Sequence, residues 1–348
     1  MVIDRLSTLV DEVRAEFAPD PRASVFEVEV QVGSSGITLQ GVSSEPAAVE
    51  ALHHRAALLD LGIAVHDTVT RLPHLRNGAA THAVVSAALA PMMAHPLISD
   101  SQVSQVVLGH QLMVLRQRGR WLQCRSDDGY IGWVHRGYVV PMAEVEARVW
   151  EIGTEGEACV SLGAEIRGAD GELMIRLPWG ARVIRRGDGS VQLPDGRTGQ
   201  VTGELAAIAD LPQRFPLDGN AICATASAWV GAPYLWGGVT QAGVDCSGLV
   251  QVLFRTHGLQ LPRDSDQQAY TGERVEPGRG WANLRAGDVL FFAEEADRVT
   301  HVTLSLGGYG IVHASLGNGG VARNSLLGEM EYEKELGRIF VCARRMIP

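Results

Sequence analysis

Apolar positions along this chain change their period several times, and each change marks a predicted element. Near the N-terminus Leu6, Leu9, Val10, Val13 and Phe17 recur at helical spacing. Two alternating strands follow, VFEVEVQV and GITLQGV, then a second helix from Pro46 to Leu59 and a third strand, AVHDTVTRL. This order predicts a small α+β module over residues 1–75. His53 and His54 fall on its second helix; adjacent residues do not share a helix face, so the pair is expected at the surface and not on a metal. From residue 80 onward, short strands joined by Gly and Asp turns replace the helical spacing. The stretch LGHQLMVLRQRGRWLQCRSDDGYIGWV, from Leu108, can be laid on LPWGARVIRRGDGSVQLPDGRTGQV, from Leu177. That match aligns Val114 with Val183, Gly129 with Gly196, Gly132 with Gly199 and Val134 with Val201. Two small β-barrels are predicted, over 80–142 and 145–212. Tyr130 and Trp133 of the first copy are Arg197 and Gln200 in the second, so the barrel itself does not demand those aromatics.

In the last third, residues 215–348, a glycine-punctuated loop runs into an apolar helix at Cys246. Leu249, Val250, Val252, Leu253 and Phe254 recur at helical spacing, and Gly258 stands where a helix stops. Cys246 therefore sits in a first helical turn, where unpaired N–H groups and the positive end of the helix dipole favour thiolate over thiol. Two histidines follow in strand-like settings, His301 in RVTHVTLSLG and His313 in YGIVHASLGNGG. Cys, then His on a strand, then a second polar residue one hairpin later is the order of nucleophile, general base and orienting group. A buried structural cysteine and a Cys/His/His zinc site are the competing readings of the same residues. No second cysteine lies close enough to complete a cluster, and CxxC, HExxH and Walker-type loops are absent. The expected chemistry is acyl transfer through a thioester, with no metal or organic cofactor.

Composition narrows the partners. With 348 residues and 46% hydrophobic content the chain has enough apolar material for two to four domains. A net charge of -10 argues against nucleic acid and anionic membrane surfaces. The charge run EMEYEKELGR, Glu329 to Arg338, reads as an exposed face or connector. The N-terminal MVIDRLSTLVDEVRAEF interleaves acids and arginines and does not read as a secretory signal, and nothing offers a membrane span. The five cysteines lack a framework spacing, which suits reduced thiols, so a cytoplasmic location is expected.

The pieces PYLWGG, DCSGLV, LPRDSDQQ, GDVLFF, THVTLSLG and YGIVHAS stand in this order between Phe215 and Pro348. Together they resemble the catalytic domain of the NlpC/P60 family of bacterial cell-wall peptidases. The resemblance implies a papain-like α+β domain with Cys246 as nucleophile, His301 as base and His313 as the residue orienting it. Tyr234, upstream of the cysteine, is then expected to help form the oxyanion site. The two β-rich segments resemble bacterial SH3-like barrels, and the N-terminal pattern resembles BON-like modules. The expected architecture is multidomain α+β: a small BON-like module, two small β-barrels and the peptidase domain.

Two barrels ahead of the catalytic domain resemble the subgroup of γ-D-glutamyl-L-diamino-acid endopeptidases. There the substrate is a murein-derived peptide with a free N-terminal L-Ala, cut after γ-D-Glu. The resemblance implies a pocket for the peptide amine formed by Tyr130, Asp245 and Ser265, with Trp236 and Ser247 nearby. A carboxylate beside the nucleophile raises its pKa unless it faces a cation, and the substrate ammonium is the expected cation for Asp245. Asp264 either contributes to the pocket or caps the helix beginning near Ser265, and capping is the preferred reading. The subgroup has a Glu just ahead of the VSQ-like segment where this chain has Ser101, with Asp100 one residue away as a substitute. Arg263 is a guess for a carboxylate of the diamino acid. The alternatives are an exported hydrolase of intact peptidoglycan and a wall-peptide binding protein without turnover.

Overall fold

A computed structural model of the chain describes residues 2–33, 36–59, 64–75, 79–153, 156–295 and 298–347. The N-terminal module is a three-stranded sheet covered by two helices. Strands Phe26–Gly33 and Gly36–Ser43 pair antiparallel, and Val65–Arg71 joins parallel to the second. The helix Pro46–Leu58 supplies the crossover that a parallel pair requires. Leu6, Leu9, Val10 and Val13 of the helix Val2–Phe17 are buried with Val28, Leu39 and Leu52 in one core. Gly41 has φ +134°, and a Cβ there would lie 1.9 Å from the Glu27 carbonyl oxygen, so this central strand accepts only glycine. His53 lies 2.9 Å from Asp67 while His54 is exposed.

Next come two seven-stranded antiparallel sheets, one from His82 to Met142 and one from Glu157 to Ala207. Residues matched by the internal repeat behave alike. Gly129 and Gly196 both turn the chain at φ +85°, and Val114 and Val183 are both buried on strands. A helix, Glu144–Ile152, precedes the second sheet where only short strands were expected. Its start is fixed by the Glu146 carboxylate, which accepts from the Ala143 N–H at 2.9 Å, and its end by Gly153 at φ +73°. Trp150 on this helix donates its indole N–H to the Gly109 carbonyl and ties it to the first barrel.

The C-terminal part lays helices against a six-stranded antiparallel sheet. The helix Cys246–Thr256 packs on strands Ala286–Phe292, His301–Gly307 and Gly310–Ser315 through Leu249, Leu253, Phe254, Phe291, Leu304 and Val312. Every residue from Cys246 to Phe254 is buried, because the first barrel covers the face that the sheet does not. Gln251, on that far face, donates to Asp128 of the barrel at 2.9 Å. The helix is buried on all sides, and the polar Gln251 on its far face is accepted there because it has a partner. Among the described residues no helix is long and apolar enough to cross a membrane.

Candidate active site

Cys246 opens its helix with Asp245 at the N-cap, as the Gly-rich approach and apolar spacing predict. One Asp245 oxygen accepts from the Gly248 N–H at 2.6 Å, the other from the Gly237 N–H at 2.8 Å. The substrate ammonium was the expected counter-ion of this carboxylate, and here the structure differs. Arg263 donates to both Asp245 oxygens, at 3.1 and 2.7 Å, and the two side chains are 1% and 8% exposed. Arg263 also donates to the hydroxyls of Ser247 and Ser104, each at 3.0 Å. Asp245 and Ser247 are thus spent on a buried ion pair that roots the helix. Arg263, guessed as a substrate ligand, is a structural cation instead.

Burial, with the Asp245 carboxylate second, pushes the Cys246 thiol up to about 12 against the opposing amides of Val302 and Ser247. The dipole argument from the sequence is therefore outweighed. A helix terminus contributes up to about 2 kcal/mol at a buried site, roughly one and a half pKa units, whereas enclosure by barrel and sheet acts over several. A thiol raised this far needs a neighbouring base before its sulfur can act as a nucleophile.

His301 begins its strand opposite Phe292, and His313 sits on the next strand. The His301 Nε2 and His313 Nδ1 atoms are 2.7 Å apart, and His313 Nε2 lies 3.0 Å from Asn324 Oδ1. Asn324 donates its amide to the Glu333 carboxylate at 3.3 Å and accepts on Oδ1 from Asn318 at 2.7 Å, which fixes its orientation. His313 must then carry its proton on Nε2 and accept on Nδ1, so His301 donates from Nε2. That tautomer leaves Nδ1 of His301 as the lone pair free to take a proton. Burial, with His313 second, holds His301 down to about 3, and burial holds His313 down to about 4. Both imidazoles are neutral at neutral pH.

The run from Glu329 to Arg338 corrects the sequence reading. It folds as a helix, Glu331–Arg338, with Glu331, Lys334 and Arg338 outward but Glu333 and Leu336 buried. Tyr332 stacks on the His313 ring, with 5.9 Å between centroids and an interplanar angle of 5°. Tyr234 is half-buried, and its hydroxyl is raised by burial first and then by the nearby Cys246 and Asp245.

The remaining predicted residues spread over the junction with the first barrel. Tyr130 is buried and donates its hydroxyl to Asp264 Oδ2 at 3.2 Å. Asp264 occupies the N-cap position of the short helix Ser265–Gln268, yet its side chain makes no capping bond. The preferred capping role is thus not taken up. Its carboxylate turns to Tyr130 and to Arg22, and burial raises its pKa against Arg263 and Arg22. Ser265 is buried beside it, and Trp236 is exposed with its carbonyl accepting from Gln102 at 2.8 Å. Ser101 is exposed, and Asp100 is bound to His95 and to the Ser101 N–H. The barrel also accepts the Val239 N–H on Gln105 at 3.1 Å. Sequence reasoning missed Asn318, Asn324, Glu333, Gln102, Ser104 and Gln105. Only the helical spacing of Tyr332, Glu333 and Leu336 carried a readable signal. Among the described residues no cluster fits a metal ion.

Residues 231–339 match the NlpC/P60 family and residues 94–140 match the bacterial SH3 domain. A γ-D-glutamyl-L-lysine dipeptidyl-peptidase of Bacillus subtilis is 28% identical over 271 residues, 71% of this chain and 83% of that protein. Dipeptidyl-peptidase 6 of Lysinibacillus sphaericus is 25% identical over 70% of this chain and 92% of its own length. The crystal structure of an NlpC/P60 family protein from Bacillus cereus superposes with a TM-score of 0.61 at 19% identity, covering 77% of this chain and 100% of that one. That last likeness is one of fold. A half-buried tyrosine, a cysteine at a helix start and a histidine relay on adjacent strands thus lie inside the matched range, and the chain is a cysteine peptidase carrying an NlpC/P60 domain behind a bacterial SH3 domain.

Proposed function

We propose that the enzyme hydrolyses the bond between γ-D-Glu and the following diamino acid in murein-derived peptides that begin with a free L-Ala. The names of the Bacillus relatives support this reading, because releasing a dipeptide requires the site to measure from a free N-terminus. One observation carries it in this chain. Tyr130 of the first barrel ends on Asp264 of the peptidase domain, across 134 residues of sequence, next to the Asp245–Arg263 pair beneath Cys246. A partly exposed carboxylate with a phenol beside it, at a wall formed by another domain, suits an ammonium group. Intact wall acylates that amine, removing the charge. Asp264 takes the role that the sequence had given to Asp245, with Tyr130 and Ser265 beside it and exposed Trp236 nearby.

In the reaction, the Cys246 thiol passes its proton to Nδ1 of His301 as sulfur attacks the γ-glutamyl carbonyl. The Cys246 N–H at the helix start and the Tyr234 hydroxyl stabilise the oxyanion. The His301 imidazolium then protonates the leaving amine of the diamino acid, giving a thioester on Cys246. Water, deprotonated by His301, attacks that thioester and restores the thiol. His313, held by Asn324, keeps His301 in the tautomer with Nδ1 open. The setting proposed for this reaction is the recycling of wall peptides in the cytoplasm.

The test is mass-spectrometric detection of cleavage of L-Ala-γ-D-Glu-diaminopimelate and L-Ala-γ-D-Glu-L-Lys, each with its N-acetylated analogue, using Cys246→Ala as blank. Cleavage of the free-amine peptides alone is expected. Equal cleavage of both forms rejects the amine pocket, and cleavage of neither rejects the substrate.

A further inference from the structure

Arg22 lies outside both matched family ranges, in the connection between the first helix and first strand of the N-terminal module. Its position is rigid. Pro21 fixes one backbone torsion of the turn, the Asp20 carboxylate accepts from the Arg22 N–H at 2.9 Å, and the Asp20 carbonyl accepts from the Ser24 N–H at 3.0 Å. The Arg22 carbonyl accepts from the Ile131 N–H at 2.6 Å, which docks the turn on the barrel strand adjoining Tyr130. From there the guanidinium crosses to the peptidase domain. It donates to Asp20 from Nε and Nη2, both at 2.9 Å, to Asp264 Oδ2 from Nη1 at 2.8 Å, and to Asp266 at 2.8 and 2.9 Å. All five of its N–H groups are thereby assigned.

Two features of this cluster point to a second cation. Three carboxylates, Asp20, Asp264 and Asp266, surround one guanidinium, so the cluster keeps a net negative charge. The neighbouring Arg263 acts on Asp264 only through space, since its own hydrogen bonds go to Asp245, Ser247 and Ser104 and its charge is matched by Asp245. Both contacts to Asp264 from Arg22 and Tyr130 land on Oδ2, and Oδ1 accepts from none of the described residues. The Asp264 side chain is 25% exposed, so Oδ1 is reachable.

We propose that Arg22 is a positioning residue for substrate selection: by clamping Oδ2 of Asp264 it aims Oδ1 at the ammonium of the peptide's first residue. This rests on the amine pocket of the proposed function. It gives the N-terminal module a part in the site although it touches neither Cys246 nor His301. Arg22 also opposes the burial that raises Asp264, together with Arg263 and against Asp266. Asp264 must be ionised to hold an ammonium, so removing Arg22 shifts the acid limb of activity upward.

The experiment compares full-length wild type, Arg22→Gln and Arg22→Lys on L-Ala-γ-D-Glu-L-Lys and its N-acetyl analogue, across pH 4.5–8. For Arg22→Gln, KM for the free-amine peptide should rise on the order of tenfold with kcat little changed. The acid limb of kcat/KM should move up by about one pH unit. Residual turnover of the N-acetyl peptide should not change. Arg22→Lys keeps the charge but loses the fork, so it should recover most of the pH limb and part of KM. Unchanged KM and pH limb in Arg22→Gln, with wild-type amine selectivity intact, overturns this inference alone. An equal loss on both peptides does the same, since it marks a general structural role. Wild type that cleaves both peptides equally, or neither, overturns the amine pocket and this inference with it.

Discussion

Replacing Arg263 by Met keeps most of its buried stem and deletes its charge. Asp245 is then left inside the protein with the Gly237 and Gly248 N–H groups and the Ser247 hydroxyl, and without a cation. The pair is 1% and 8% exposed, so solvent does not take over the lost partner. Breaking a buried ion pair from one side costs about 3–5 kcal/mol, whereas replacing both members together costs far less. Several domains share this chain, and whole-chain melting mixes their transitions. Hydrogen–deuterium exchange of the peptide containing Cys246–Thr256 reads the helix itself. Arg263→Met should lower its protection about 10²- to 10⁴-fold. The Asp245→Asn/Arg263→Met double variant should recover much of that loss, giving a large coupling in the cycle. A protection change below about tenfold, or a double variant as impaired as the sum of its parents, would refute the claim that this pair holds the nucleophile's helix.

Three further outcomes follow from the same geometry. Asn324→Ala frees His313 to take either tautomer, so kcat should fall about ten- to a hundredfold, a share of what a general base supplies, with KM little changed; steady-state kinetics checks this, and an unaltered kcat rejects the relay. Tyr130→Phe keeps the buried ring and removes the bond to Asp264, so KM for the free-amine peptide should rise about three- to tenfold while the N-acetyl analogue is unaffected. Burial holds His110 and His313 down to about 4 and His301 to about 3, whereas in the unfolded chain each titrates near 6.5. Below that value the unfolded state binds up to three more protons, so their contribution to stability is complete above about pH 6.5 and is lost as pH falls toward 4. Hydrogen–deuterium exchange protection of the strands His301–Gly307 and Gly310–Ser315, corrected for the intrinsic exchange rate and measured from pH 7.5 to 4.5, should fall along that window, less steeply in His313→Asn, and a flat profile contradicts the buried neutral assignment.

The sequence disclosed the parts of the site whose cause is local. Cys246 was legible because a turn, an N-cap and an apolar stripe are each written in neighbouring residues, and His301 and His313 because strand order carried them. The protonation state was not legible. It depends on enclosure of the helix by a barrel and a sheet distant in sequence, and that burial overrides the dipole of the first turn. Glu333 was misread for another reason. Charge density along Glu329 to Arg338 is high, but on a short helix one face alone turns inward, and Tyr332, Glu333 and Leu336 occupy it. The Arg263–Ser104 and Arg22–Asp264 contacts span 159 and 242 residues, a distance at which polar side chains leave no periodic trace.

The division of labour in this site follows from which segments build it. Cys246, His301, His313 and Asn324 belong to one sheet-and-helix unit, in which hydrogen bonds between adjacent strands join the last three. Tyr130, Asp264 and Arg22 come from three different parts of the chain and meet through polar contacts with side chains about a quarter exposed at Asp264 and Arg22. Polar junctions of this kind tolerate substitution better than a packed core, because water replaces a lost partner at modest cost. Changes at the junction should therefore alter which peptide N-terminus is accepted and fall on KM. Changes in the relay should fall on kcat for every substrate, and a junction variant that lowers kcat for free and acetylated peptides alike would show that the two parts are not separable.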